Sequence, residues 1–203
     1  MKTIDTEQSV EPEGRRSIGA RRNPDSAEAI LEAAEAVLLE SGYAGFSIEA
    51  VARRARAGKP TIYRWWPSKA ALLLEVYHRQ KRDVGQPDTG SLEEDLFQLA
   101  RSLFTLWRDT PAGPIFRSII AEAQSDAKAA QALAEYGAER RRHSGRMTER
   151  AIARGEARPD ANPKVVADLV SSYAWTHLLT NRLDEDDDTL RAAIRTIVRG
   201  VLA

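Results

Sequence analysis

Apolar side chains recur along this chain at helical intervals, and no stretch shows the two-residue alternation of a half-buried strand. Ile30, Leu31, Ala34, Val37 and Leu38 form the first stripe. The spacing predicts a helix opening at Asp25, with Glu28 as its capping-box partner, and stopping at Ser41-Gly42, where glycine suits a left-handed residue. Ser47 is a good N-cap for a second, short helix with Ile48, Val51, Ala52 and Ala55 inward, ending near Arg54 to Arg56. Ala57-Gly58 predicts a tight turn. A third helix then starts at Lys59-Pro60, where first-turn amides need no partner and proline is tolerated. Ile62 and Trp66 share its buried face. Pro67 ends it, and Ser68 caps a fourth helix over Lys69–Lys81.

Beyond a Gly/Pro-bearing linker at Asp83–Gly90, helical spacing dominates. Helices are expected over Leu92–Arg108, Ile115–Gln124, Ala134–Arg154, Lys164–Leu183 and Thr189–Leu202, with a short segment at Asp126–Leu133. Pro111 to Pro114, Arg158 to Pro163 and the acidic Asp184 to Asp188 read as breaks. The class is all-α: an N-terminal three-helix helix-turn-helix domain plus a C-terminal helical bundle, about nine helices altogether. Residues 1–23 lack apolar periodicity and are read as a disordered tail. Residues 24–70 are expected to form one domain and residues 71–203 a second.

Composition narrows the function by exclusion. The 203 residues hold 30 Lys plus Arg and 30 Asp plus Glu, so total charge says nothing about partners. Its distribution is more telling. Between Glu49 and Glu75 there is no acid, while Arg53, Arg54, Arg56, Lys59, Arg64 and Lys69 are all basic. Such a local patch is a phosphate footprint or a solvated helical face. Without cysteine, thiolate catalysis, disulfides and Cys-ligated metal are excluded, which fits a reducing compartment. His143 and His177 are lone histidines without metal-ligand spacing, so no metal and no cofactor is expected. No apolar run reaches the ~20 residues of a membrane span, and the opening segment lacks the apolar core of a secretory signal; a cytoplasmic protein is expected.

Two short helices joined by a tight turn, preceded by a third, form a helix-turn-helix. Residues 47–74, and above all Lys59-x-Thr61-Ile62-Tyr63-Arg64, Trp66 and Pro67-Ser68-Lys69, resemble the TetR family of transcriptional regulators. The motif covers about residues 25–75; the remainder agrees in helix number and length. Arg56 stands where the family commonly has Gly, and Pro60 where it has a small residue.

The resemblance implies roles that each side chain's chemistry supports. Tyr63 and Lys69 would grip a phosphate, with Ser47 and Thr61 as further phosphate donors. Arg56, Lys59 and Pro60 would meet base edges, Lys and Arg being suited to guanine. Arg64 and Trp65 would touch the DNA backbone; ordinary packing is the alternative for Tyr63 and Trp65. Arg21 and Arg22 form either a minor-groove arm or part of a solvated tail.

For the second domain the resemblance implies a ligand cavity and a homodimer. Phe104, Trp107, Phe116, Ile120, Met147 and Trp175 are the candidate lining, suited to a small lipophilic or aromatic effector, a filled core being the alternative. Val166, Leu169, Val170 and Tyr173 on one helix, with Leu190, Ile194, Ile197, Val198 and Val201 on the last, are the candidate dimer face; the protomer's own core is the other use for those stripes. Arg140-Arg141-Arg142 reads as a solvated face and Asp184 to Asp188 as an exposed spacer. The expected function is a repressor on a palindromic operator, released by a small molecule. The rivals are an enzyme, for which no catalytic constellation is found, and a helical adaptor binding protein through its Arg-rich helix, which leaves the Thr61-to-Lys69 pattern unexplained.

Overall fold

Asn23, not Asp25, caps the first helix. Its side chain accepts from the Asp25 amide at 3.0 Å, and Pro24 occupies the first helical position. Proline's fixed φ is already helical there, which puts the cap two residues before Asp25. The computed structural model describes residues 23–81 and 85–202; the tail through Arg22 with its Arg21-Arg22 pair, and the Asp83 start of the linker, lie outside them. Among the described residues the chain forms α1 (Pro24–Gly45), α2 (Ile48–Arg54), α3 (Lys59–Trp65), α4 (Lys69–Gln80), α5 (Leu92–Asp109), α6 (Ala112–Glu122), α7 (Ala127–Ala153), α8 (Pro163–Leu179) and α9 (Asp187–Arg199). Among the described residues one isolated bridge lies outside the helices, between Ala157 and Leu202.

The short helices are set by their caps. Ser47 accepts from the Ala50 amide and Ser68 from the Ala71 amide, each satisfying one of the donors a helix start leaves open. Gly42 adopts φ 63 and kinks α1, yet the helix resumes to Gly45. Ile62 and Trp66 are fully buried under α3, as their spacing predicts. Trp66 also donates its indole N–H to Glu75 of α4. In the α2–α3 turn Arg56 sits at φ 50. This is the position where the resemblance expects Gly, and the reason is now visible: the backbone there is left-handed, which costs a non-glycine residue about 1 kcal/mol.

Several boundaries differ from those the pattern predicts. Pro111 and Pro114 do not break the chain down to Ile115; α6 begins at Ala112 with both prolines in or before its first turn, where no amide is needed. Gly113 is required by close approach, since a Cβ there would meet the Trp107 carbonyl oxygen at 2.2 Å. The short segment at Asp126–Leu133 and the next helix are one helix, α7. Asp126 caps it, and the alanine-rich run that follows contains no breaker. Pro163 opens α8 under an Asn162 cap rather than ending a loop. The acidic run at Asp184 to Asp188 is no spacer: Asp186 caps α9, and Glu185 bonds Tyr173 and His177.

The core is continuous from α1 to α9. α4 joins its two ends, packing on α1 at one side and on α6 and α7 at the other. α7 and α8 pair along their lengths, and α9 lies on α5 and α8. A buried carboxylate, Asp95, accepts from Thr89 and faces Arg150, tying the loop before α5 to α7.

Candidate nucleic-acid interface and interior cavity

The helix-turn-helix brings most of the predicted contact residues to one surface. Arg56, Lys59, Pro60, Tyr63 and Arg64 are exposed along the turn and α3, while Thr61 and Trp65 are half-buried beside them. Ser47 is partly spent on its cap. Trp65 packs edge-on against Trp66 at 5.9 Å, and the Arg64 guanidinium lies over the Trp65 ring, 5.7 Å from its centre. Lys59 is paired with Glu49 at 2.9 Å, which holds the Lys59 ammonium above its ordinary pKa and the Glu49 carboxyl below its own. Both groups are well exposed, so this pair is weak and exchangeable.

Lys69 is placed differently from its exposed neighbours. It is half-buried, 3.5 Å from Glu122 and 4.1 Å from the centre of the Tyr43 ring. Tyr43 donates its hydroxyl to the same Glu122 carboxylate. Burial depresses the Lys69 ammonium and raises the Glu122 carboxyl. A cluster of three side chains thus joins the end of α1, the start of α4 and the end of α6. Neither Tyr43 nor Glu122 is a site candidate from sequence: each is one polar residue near a helix end, with no pattern to announce a partner dozens of residues away.

A second feature lies in the helical bundle. A cavity of about 200 Å³ opens among α4, α5, α6, α7 and α8. Of the six aromatic and apolar candidates, Trp107, Phe116 and Trp175 line it. Phe104, Ile120 and Met147 do not. Met147 is fully buried, and Phe104 stacks on His177 at 5.2 Å. His177 bonds the Tyr173 carbonyl and Glu185, a structural arrangement away from the cavity. The lining includes residues that periodicity does not mark. Tyr77 stacks on Phe116 at 4.6 Å and accepts the Trp107 indole N–H at 2.8 Å. Tyr136 meets Phe116 edge-on at 5.8 Å. Burial pushes the Tyr77 hydroxyl well above its ordinary pKa, so it stays protonated.

Three cations also reach the cavity: Lys81, Arg140 and Arg141. The reading of Arg140-Arg141-Arg142 as one solvated face therefore holds only for Arg142, which is exposed. Tyr136 and Arg140 stand four residues apart on α7, so the arginine lies over the ring and turns inward with it.

The stripes considered for a dimer divide in two. Val166, Val170, Leu190, Ile194 and Val198 are buried in the protomer's own core. Tyr173, Ile197 and Val201 are half-buried. Leu169 is 49% exposed, and Val165 and Leu179 on the same side of α8 are each 51% exposed. An amphipathic stripe must satisfy its own fold first, and the strongest positions do so here.

Among the described residues no cluster of metal-ligating side chains is present and no helix is long and apolar enough to cross a membrane. Family models agree with the architecture. One for bacterial regulatory proteins of the tetR family matches residues 30–76, and one for the tetracyclin repressor-like C-terminal domain matches residues 86–197. The HTH-type transcriptional regulator YdeS of Bacillus subtilis (strain 168) is 29% identical over 187 residues, 91% of this chain and 94% of that protein. The HTH-type transcriptional regulator Rv1556 of Mycobacterium tuberculosis is 47% identical over 64 residues, 31% of this chain and 32% of its own. Among solved structures, the TetR family transcription regulator SCO0332 superposes with a TM-score of 0.75 at 32% identity, covering 88% of this chain and 100% of its own. With helix-turn-helix, bundle and sequence in agreement over both halves, the chain belongs to the TetR family of transcriptional regulators and is a DNA-binding, helix-turn-helix protein.

Proposed function

We propose that this regulator is a dimeric repressor that leaves a palindromic operator when a small molecule enters the bundle cavity. The observation that carries the reading is the course of α4. Its first turn holds Lys69, four residues past the end of α3, and its last turn holds Tyr77 in the cavity wall. Twelve helical residues make a rod about 18 Å long. A ligand that displaces Tyr77 moves one end of the element on which Lys69 sits. The second connection is α6, with Phe116 in the cavity and Glu122 on Lys69.

Tyr63, Lys69, Thr61 and Ser47 bind phosphates in this reading, with Arg64 and Trp65 beside them, while Arg56, Lys59 and Pro60 face base edges. Lys59 exchanges its exposed Glu49 partner for DNA. The dimer forms through the exposed side of α8, Val165, Leu169 and Leu179, against the same helix of a second copy, with α9 alongside. The buried members of both stripes support that face from beneath.

The ligand works only through unequal affinity for the DNA-bound and free arrangements. A small aromatic compound that raises the protein's Tm is therefore expected to weaken operator binding by about 5–150-fold, the usual range of such coupling. Fluorescence anisotropy on operator DNA, with and without the compound, measures this. Cavity ligands that stabilise the protein and leave operator affinity unchanged would refute the coupling.

A further inference from the structure

We infer that the effector is a small aromatic anion, a single-ring or compact bicyclic carboxylate, whose ring lies among Tyr77, Trp107 and Phe116 and whose charge is met by Lys81 and Arg140. This rests on reading the cavity as an effector site, and it goes beyond that reading by fixing the ligand's charge and size.

Size follows from volume. An apolar cavity of about 150 Å³ is enough for benzene. At about 200 Å³ this one takes a single ring with a short substituent. Shape follows from the rings. Trp107 and Phe116 are nearly parallel, their planes 11° apart, and Trp175 stands edge-on to Phe116 at 78°. Flat faces and edges together favour a planar guest over an aliphatic one.

Charge follows from an imbalance. Three cations line the cavity against one carboxylate, Asp168. Asp168 is engaged by Arg141 at 2.6 Å, which leaves no further carboxylate of the cavity lining, among the described residues, for Lys81 and Arg140. Glu139 reaches one terminal nitrogen of Arg140 from the solvent side, but the Arg140 Nε is buried with no acceptor among the described residues. Lys81 has no carboxylate partner among them either, and it feels the Arg140 charge as a repulsion. A buried donor left unmade costs free energy, and two like charges facing one cavity add to it. An anion entering between them removes both penalties. A neutral ligand removes neither, and a cation worsens both. Desolvation together with Arg140 brings the Lys81 ammonium down to about 8, so it remains charged at neutral pH and available for such an anion.

The test uses the full-length protein and three matched pairs: benzoate with benzamide, phenylacetate with phenylacetamide, and indole-3-acetate with indole-3-acetamide. Binding is followed by quenching of tryptophan fluorescence, Trp107 and Trp175 being in the wall, and by calorimetry. At least one acid is expected to bind about 10–100-fold more tightly than its amide at pH 7, as a charge-assisted hydrogen bond in a partly buried site allows. Lys81→Met and Arg140→Gln are each expected to abolish that preference while leaving amide binding within about twofold, which also shows the variants to be folded. Equal binding of acid and amide, or preference for the amide, overturns the anion assignment and leaves an effector cavity standing. Failure of every acid and every amide to bind overturns the cavity reading itself, and the anion assignment with it.

Discussion

The Lys69 ammonium and the Glu122 carboxylate lie 3.5 Å apart across the junction of the helix-turn-helix and the bundle. This pairing places one proposed phosphate ligand under the hold of a helix that lines the cavity. A carboxylate and a DNA phosphate compete for the same ammonium, so the state of α6 bears on the affinity for DNA.

Glu122→Gln is accordingly expected to strengthen binding to all DNA sequences by a few-fold at low salt, because the competing charge is removed while the Tyr43 hydroxyl keeps an acceptor. Lys69→Ala is expected to weaken binding to all sequences alike and to lower the salt slope by about one. Anisotropy titrations over a salt series report both. A change of sequence preference with non-specific affinity intact would remove Lys69 from the phosphate role.

Arg56→Gly relieves a left-handed residue at φ 50. A gain of about 1 kcal/mol and a Tm rise of roughly 2–4 °C are expected. If Arg56 also reads a base edge, the same variant loses discrimination between operator and random DNA by about 5–100-fold. Stability and specificity then move in opposite directions, and scanning calorimetry paired with DNA titration separates them.

Leu169→Glu places a charge in the centre of the exposed side of α8, at a position 49% exposed. The variant is expected to keep its helical content and to sediment as a monomer at micromolar concentration, with operator affinity falling at least tenfold. Val170→Glu, by contrast, is expected to unfold the protein, because Val170 is buried within the protomer. Sedimentation velocity and circular dichroism distinguish the two.

Lys81 gives a pH signature. Its folded pKa of about 8 lies below the unfolded value near 10.4. Between these values the unfolded chain binds more protons, so the Lys81 contribution makes stability rise as pH rises from about 8 towards 10. Binding of an aromatic carboxylate moves oppositely, weakening as pH rises through about 8. The groups facing Lys81 are Arg140, Arg141 with its partner Asp168, Tyr77 and Tyr136 in the wall, and His143 on α7. The two tyrosines titrate far above this range, Tyr136 only at a pKa beyond it, because burial raises both. Lys81→Met is expected to raise the ligand-free Tm at pH 7 by roughly 2–8 °C and to flatten both pH profiles.

What the sequence made legible is the part governed by local rules. Ser47 and Ser68 announce caps, Ile62 and Trp66 announce a buried face, and both positions depend only on neighbours within a few residues. Boundaries set by competing local signals were harder. Pro114 reads as a breaker but is harmless in a first turn, and the start of α7 reads as separate although its alanines continue the helix. Non-local relationships were not legible. Glu122 meets Lys69 and Tyr43 only after α6 folds against α1 and α4. Arg140 reads as solvated because charge runs usually are, and only the rotation of α7 turns it to the cavity. The α8 and α9 stripes have the right period for burial, but period does not say whether a stripe meets its own core or a partner; Val166 and Val170 meet the former.

Selection of DNA bound by the purified full-length protein from a random duplex pool tests the central claim most directly. A dimer of this helix-turn-helix is expected to recover an inverted repeat whose half-sites lie about one helical turn apart or slightly more, with binding that weakens steeply as salt rises. Recovery of no inverted repeat, or retention of DNA without dependence on sequence, would contradict a dimeric operator-binding repressor.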